Sequence, residues 1–220
     1  MKRLAAFLLV LLAGGGVLFV VDQAIRTLRT LAIVERERDT WQRPDAIIGH
    51  LNLQPGQTVL DLGSGAGYFA LKLAPRVAPG GQVLAVDLRR LSLAFLWIRA
   101  RQGGHANLRV IVGAPDDPRL PPGPIDGVLI ANTLHELAPP GPILTRIFAS
   151  MRPGGRLVVV DRGPHGREEA DAIGGTHELS AATAEALITR HGFQAVARDD
   201  RFIDRSGDDD VWWLRVFRRP

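Results

Sequence analysis

Five short apolar runs recur between Thr58 and Asp161, with longer stretches of helical spacing between them. The runs are Thr58–Leu62, Val83–Asp87, Leu108–Val112, Asp126–Ala131 and Leu157–Asp161. Each is nearly unbroken rather than alternating, as expected of strands buried on both faces. The stretches Tyr68–Ala74, Leu91–Arg101 and Ile143–Met151 read as helices, and in the second Leu91, Phe95 and Ile98 form one face. Parallel strands need long crossovers, and helices supply them. This order therefore predicts an α/β fold, a doubly wound parallel sheet with helices on both faces.

The tail changes character. Ser180–His191 reads as a helix stopped by Gly192. Phe193–Asp200 and Val211–Phe217 read as two strands joined by the hairpin-like connection "RSGDDD". An antiparallel pair closing the parallel sheet brings the total to seven strands.

The N-terminus is unlike the rest. After Lys2 and Arg3, residues Leu4 to Val21 carry no charge over 18 positions. A helix of that length spans roughly 27 Å, close to a bilayer core of about 30 Å. The expectation is a hydrophobic anchor over residues 1–21, a transmembrane helix whose partner is the lipid bilayer through residues 4–21. The rival is a cleaved signal peptide, cut near Ala13–Gly16, with export of the remainder. Apolar residues continue to Val21, which is long for a signal. Arg26, Arg29, Arg36 and Arg38 outnumber the two cations on the other side, so the positive-inside rule leans toward a cytoplasmic C-terminal domain. Residues 22–43 read as a linker helix and 44–220 as the domain that the sheet builds.

Charge and composition exclude several classes. The net charge is +4, but arginines and acids are interspersed, with no basic stripe carrying aromatics, so no nucleic-acid partner is expected. With no cysteine, disulfides, thiolate zinc sites and thiol catalysis are excluded. No His/Asp/Glu group has metal-ligand spacing.

The stretch "VLDLGSGAGYF", Val59 to Phe69, ends the first run and opens a helix. Ligands of open α/β sheets bind at the carboxyl ends of the strands, and glycines there let a ligand approach the backbone. A dinucleotide site wants G-x-G-x-x-G. Here Gly63, Gly65 and Gly67 follow G-x-G-x-G, and position 68 is Tyr68. Asp61 stands two residues before the first glycine. A carboxylate there repels a pyrophosphate and attracts an ammonium or sulfonium. Asp87 ends the second run 20 residues after Gly67 and can accept both ribose hydroxyls, or simply cap the helix that follows. Ser64 lies in the wrong glycine frame for a hydrolase elbow, which needs G-x-S-x-G.

At this point "VLDLGSGAGYF", "VLAVD", "IDGVLIANTLHEL" and "MRPGGRLVVVD" together resemble the motifs of class I S-adenosylmethionine-dependent methyltransferases, from about Trp41 to Phe217. The nearest branch resembles the quinone-biosynthesis methyltransferases. The resemblance implies a Rossmann-like seven-stranded sheet with the last strand antiparallel, and S-adenosyl-L-methionine as cofactor. It also implies that Asp61 and the loop of Gly63, Ser64, Gly65 and Gly67, with Tyr68 next to it, surround the methionine part. Asp87, with Leu88 beside it, would hold the ribose. Asn132, after the fourth strand, is a further candidate contact. Many relatives carry an acid after the glycine that follows the third strand, where it meets the adenine amino group. Here Ala114 stands in that place, and Asp116 or Asp117 can substitute from a shifted loop or mark a turn before Pro118.

Methyl transfer mainly requires an oriented nucleophile and a dry site; well-oriented proximity supplies about 7–11 kcal/mol. A base helps where the acceptor is a hydroxyl or an acidic carbon. His135 is the candidate catalytic base, with a structural hydrogen bond at a helix start as the alternative. Asp161, at the end of the fifth strand, is a further candidate for the same cleft, and His177, in the loop before the last helix, is a weaker one. Trp41 and Arg43 either close over the cofactor or pack on the sheet edge. The sequence thus points to a membrane-anchored methyltransferase acting on an unidentified small-molecule acceptor, with the anchor as the reason to expect a hydrophobic one. Its rivals are a catalytically silent S-adenosylmethionine-binding module and an NAD-dependent oxidoreductase.

Overall fold

The computed structural model describes the backbone of residues 2–164, 179–205 and 210–220, and side chains at 16, 18–164, 179–204 and 211–220. The chain divides into two units, 1–40 and 41–220. The first is almost wholly one helix, α1 (Lys2–Trp41), which runs unbroken through Gly14–Gly16 into the expected linker. Most of the stretch Leu4–Val21 lies outside the residues whose side chains are described. Among the described residues, no helix is long and apolar enough to cross a membrane.

The second unit holds seven strands: β1 (Thr58–Leu62), β2 (Gln82–Asp87), β3 (Leu108–Val112), β4 (Ile125–Ala131), β5 (Met151–Arg162), β6 (Gln194–Arg205) and β7 (Asp210–Arg218). They form one sheet in the order β3-β2-β1-β4-β5-β7-β6. β1 to β5 pair in parallel, and β7 runs antiparallel to both β5 and β6. The sequence reading of seven strands with the last one reversed is what the sheet shows. The chain leaves β1 toward β2 on one side and returns to β4 on the other. That reversal is the switch point where open sheets bind ligands.

Alternate residues of each central strand feed two cores. Val59, Val83, Ala85, Leu129 and Val158 face α2 (Pro44–His50), α3 (Ala70–Val77) and α4 (Arg90–Gln102). Leu60, Leu84, Val128, Ile130 and Val159 face α5 (Pro140–Ser150) and α6 (Ala181–Arg190). Both faces of the sheet are covered, which is why the runs read as solid apolar blocks.

The structure corrects two details and decides a third, placing Trp41 and Arg43 as the sheet-edge reading had them. The face of α4 turned to the core is Leu93, Leu96 and Ala100, whereas Leu91 is 72% exposed. Leu91, Phe95 and Ile98 do share a face, but it is not the one that packs. A helix apolar on both sides gives the pattern no way to choose. The choice falls to fit: a Cβ on Gly67 would stand 2.2 Å from Leu96 Cδ1, so Leu96 occupies the space that this glycine leaves. β5 starts at Met151 rather than Leu157, because Met151 already pairs with Ile125 and a register shift absorbs the intervening Pro153-Gly154-Gly155. Trp41 and Arg43 pack on the far sheet edge. The Trp41 ring lies 5.7 Å from that of Trp212, and Arg43 Nη1 donates to the Phe202 carbonyl at 2.6 Å.

Candidate active site

The carboxyl ends of β1, β2, β3 and β4 open into a cleft of about 650 Å³, part of it solvent-exposed. Gly63, Asp87, Leu88, Ala114 and Glu136 are among its walls.

The glycine loop is tied to β2. The N–H groups of Gly63 and Ser64 both donate to the Val86 carbonyl, at 2.8 and 3.0 Å. All three glycines have positive φ: +76° at Gly63, +52° at Gly65 and +98° at Gly67. Their surroundings differ. A Cβ on Gly63 would meet Thr133 Oγ1 at 2.2 Å, and one on Gly67 would meet Leu96. A Cβ on Gly65 would meet nothing within 4 Å. Gly63 and Gly67 are therefore needed for packing, while Gly65 borders open space.

Asp87 holds that open glycine in place. Its Oδ2 accepts the Gly65 N–H at 2.8 Å, and its Oδ1 accepts the Arg89 N–H at 2.7 Å at the entrance to α4. The side chain lines the cleft although only 6% of the residue is exposed. Capping and ligand binding are compatible, since each carboxylate oxygen keeps a further lone pair. Asp61 is buried at the lip of β1, paired in register with Ala85 and Leu129.

Among the described residues, the buried atoms Ser64 Oγ and Asn132 Oδ1 at this end of the sheet find no protein partner. Asn132 sits at φ +53°, a strained geometry for a non-glycine residue, and its N–H donates to Val160. Orphaned buried polar atoms beside an open backbone position are what a polar ligand completes.

The opposite wall is apolar: Leu88, Gly113, Ala114, Pro115, Pro118, Leu137 and Ile143. The main chain at Ala114 is spent in a tight turn, its N–H donating to Asp117 O at 2.7 Å and its carbonyl accepting from Asp117 N. Asp117 turns away to accept the Arg119 N–H. Asp116 is exposed and is not among the lining residues. The aromatic ring of Tyr68, a candidate cofactor contact, is buried in the core instead, edge-on to Phe69 at 4.8 Å.

His135 follows β4 in a 3₁₀ turn, Leu134–Glu136. Its Nδ1 lies 2.7 Å from Asp161 Oδ1 at the end of β5, and its own N–H donates to Asp161 Oδ2 at 3.3 Å. The hydrogen bond to Asp161 raises the imidazole pKa above its ordinary value, and burial opposes it without cancelling it. His135 is 3% exposed and does not line the cleft; Glu136 does. Glu136 Oε1 is 3.9 Å from His135 Nε2, and Arg89 reaches toward both Glu136 and Asp87 at the cleft mouth. Glu136 shares with Asn132, Thr133 and His135 the sequence signal of standing just after the fourth strand, where a site residue is expected; Leu137 carries none. His177 lies outside the described residues.

Comparison with known proteins agrees with this geometry. A family profile described as "Methyltransferase domain" matches residues 53–201. Demethylmenaquinone methyltransferase of Symbiobacterium thermophilum is 24% identical over 173 residues, covering 78% of this chain and 68% of its own length. Nocamycin O-methyltransferase of Saccharothrix syringae is 32% identical over 105 residues; that match takes in 47% of this chain and 37% of the nocamycin enzyme. The fold is similar to the crystal structure of an S-adenosylmethionine-dependent methyltransferase from Aquifex aeolicus. The TM-score is 0.68 at 21% identity, covering 80% of this chain and 89% of that one. With more than half of its length matched, the chain belongs to the methyltransferase-domain family, and its cofactor is S-adenosylmethionine.

Proposed function

We propose that the chain is a membrane-anchored enzyme that transfers a methyl group to a small hydrophobic acceptor, with its catalytic unit on the cytoplasmic side. The observation that carries the methyl-transfer reading is the junction of Gly65 and Asp87. A buried carboxylate holds a backbone position whose missing Cβ leaves open space. Support for the hydrophobic acceptor comes from the bilayer-length stretch Leu4–Val21 and from a relative named for demethylmenaquinone.

When bound, S-adenosylmethionine supplies a methyl group on a sulfonium, a good leaving group. The chain's own residues then have four tasks. Asp61 sets a negative potential at the lip of β1 that favours a cation over a pyrophosphate. Asp87 offers its remaining lone pairs to ribose hydroxyls, and Ser64 Oγ and Asn132 Oδ1 offer unspent hydrogen-bonding capacity nearby. The apolar wall of Leu88, Pro115, Pro118, Leu137 and Ile143 takes the flat base and keeps water out. Where the acceptor must lose a proton, Glu136 is the cleft-lining carboxylate that takes it, with His135 Nε2 3.9 Å behind.

A second reading, a nucleoside-binding module without transfer, draws on the burial of His135 away from the cleft. One experiment separates the readings. The purified chain is titrated calorimetrically with S-adenosylmethionine and with NAD, then incubated with labelled S-adenosylmethionine and a membrane extract. Labelled lipid-soluble product and S-adenosylhomocysteine support the enzyme. Binding without turnover supports the module, and preference for NAD overturns both.

A further inference from the structure

Helix α4 has two apolar faces, and only one of them is used. Leu93, Leu96 and Ala100 pack into the core. At about 100° per residue, Leu91, Ala94, Phe95 and Ile98 fall on the opposite side. Leu91 is 72% exposed, Trp97 on the edge of this face 52%, and Leu88 just before the helix 54%. Ala94 is exposed as well, and Phe95 and Ile98 are partly so. Exposed large apolar side chains are ordinary one at a time; gathered on one helix face they mark an interaction surface.

Charge identifies what covers it. From Leu88 to Pro115 the chain has no acid and five arginines. Arg90 and Arg101 are exposed and flank the apolar stripe, and the Arg101 guanidinium lies 5.2 Å over the Trp97 ring. Arg99 instead donates to the Ala66 carbonyl, so it belongs to the fold rather than to this surface. A second copy of the chain would bring arginine against arginine. An anionic bilayer meets every feature: apolar side chains enter the acyl boundary, tryptophan sits at the headgroup level, and arginines pair with lipid phosphates.

We propose that the outward face of α4, centred on Leu91 and Ile98 with Trp97 on its edge, docks on an anionic lipid surface. Leu88 belongs to both this patch and the cleft wall, so docking sets the cleft mouth beside the bilayer. The contact is independent of methyl transfer and of the N-terminal stretch, because Trp97 reports it directly.

The full chain is incorporated into vesicles of dibrominated phosphatidylcholine, alone or mixed with dibrominated phosphatidylglycerol. Bromine quenches an indole only on contact. Trp212 and Trp213 are buried, and Trp41 is packed on Trp212. The expected result is a loss of emission in the anionic vesicles that Trp97→Phe abolishes. Arg90→Gln with Arg101→Gln should reduce the quenching to that seen with phosphatidylcholine. Should Trp97→Phe melt early, Leu91→Ser gives the same reading with the indole in place: less quenching at an unchanged melting temperature. Equal quenching of wild type and Trp97→Phe, or equal quenching in both lipids, overturns the proposal. So does self-association in detergent that Leu91→Ser abolishes, with no quenching in vesicles.

Discussion

Asp161 Oδ1 lies 2.7 Å from His135 Nδ1, and the two residues are 0% and 3% exposed. The pair joins the end of β5 to the turn after β4, beside the cleft. Asp161 raises the imidazole pKa above its ordinary 6.5, so the folded protein binds the proton more tightly than the unfolded chain. The resulting stability is fully present below about pH 6.5 and is lost as pH rises through the raised folded value. Two outcomes follow for Asp161→Asn. The His135 ring resonances, followed by NMR, should titrate at lower pH than in wild type. Urea unfolding should show a deficit largest below pH 6.5 and shrinking toward pH 8.

The glycine loop separates packing from binding. Alanine at positive φ costs about 1–2 kcal/mol wherever it is placed. At Gly63 an overpacking cost of about 1–3 kcal/mol adds to that, because the new Cβ would meet Thr133 at 2.2 Å. Gly63→Ala should therefore melt well below Gly65→Ala. Gly65→Ala puts its methyl into open space at the position Asp87 holds, and should lose S-adenosylmethionine affinity out of proportion to its loss of stability. Melting curves and calorimetric titration on the same two variants check both halves.

The sheet was legible because its strands are buried on both sides and carry unbroken apolar runs, and the glycine loop because positive φ restricts which residues can stand there. Asp87 was legible by its distance from Gly67. What was hidden depended on tertiary fit. Which side of α4 faces inward is settled by Leu96 filling the space at Gly67, and no periodicity records that. Tyr68 follows the loop directly, yet its ring turns into the core. His135 and Glu136 are adjacent in sequence, but a 3₁₀ turn buries one and leaves the other on the cleft wall. The role of Asp161 needs the β4–β5 pairing, which brings together residues 26 positions apart.

Asp87 carries two N–H groups as well as its place in the cleft. Asp87→Asn keeps one acceptor oxygen, and Asp87→Ala keeps none. A hydrogen bond to a charged group is worth about 1.5–3 kcal/mol, roughly 10- to 150-fold in affinity. Asp87→Ala should weaken S-adenosylhomocysteine binding by that range, with Asp87→Asn in between. Both should also loosen the Gly65 amide, measurable as faster hydrogen exchange at that position.

The base-recognition wall makes the last prediction. Around Ala114 the cleft is apolar, the main-chain N–H and carbonyl of Ala114 are both committed to Asp117, and Asp116 is not among the lining residues. A pocket that hydrogen-bonds a ligand's amino group rejects analogues lacking it, because its own polar atoms are then left unpaired. The side chains of this wall offer no such atoms to strand. Replacing the purine 6-amino group by a keto oxygen should therefore cost little: S-inosylhomocysteine should bind within about tenfold of S-adenosylhomocysteine, a difference under about 1.4 kcal/mol. Parallel calorimetric titrations give the ratio directly. A ratio of hundreds would mean that the Glu136 carboxylate, at the rim, accepts from the amino group. In that case Glu136→Gln should collapse the discrimination while leaving the melting temperature near wild type, since that side chain is 46% exposed.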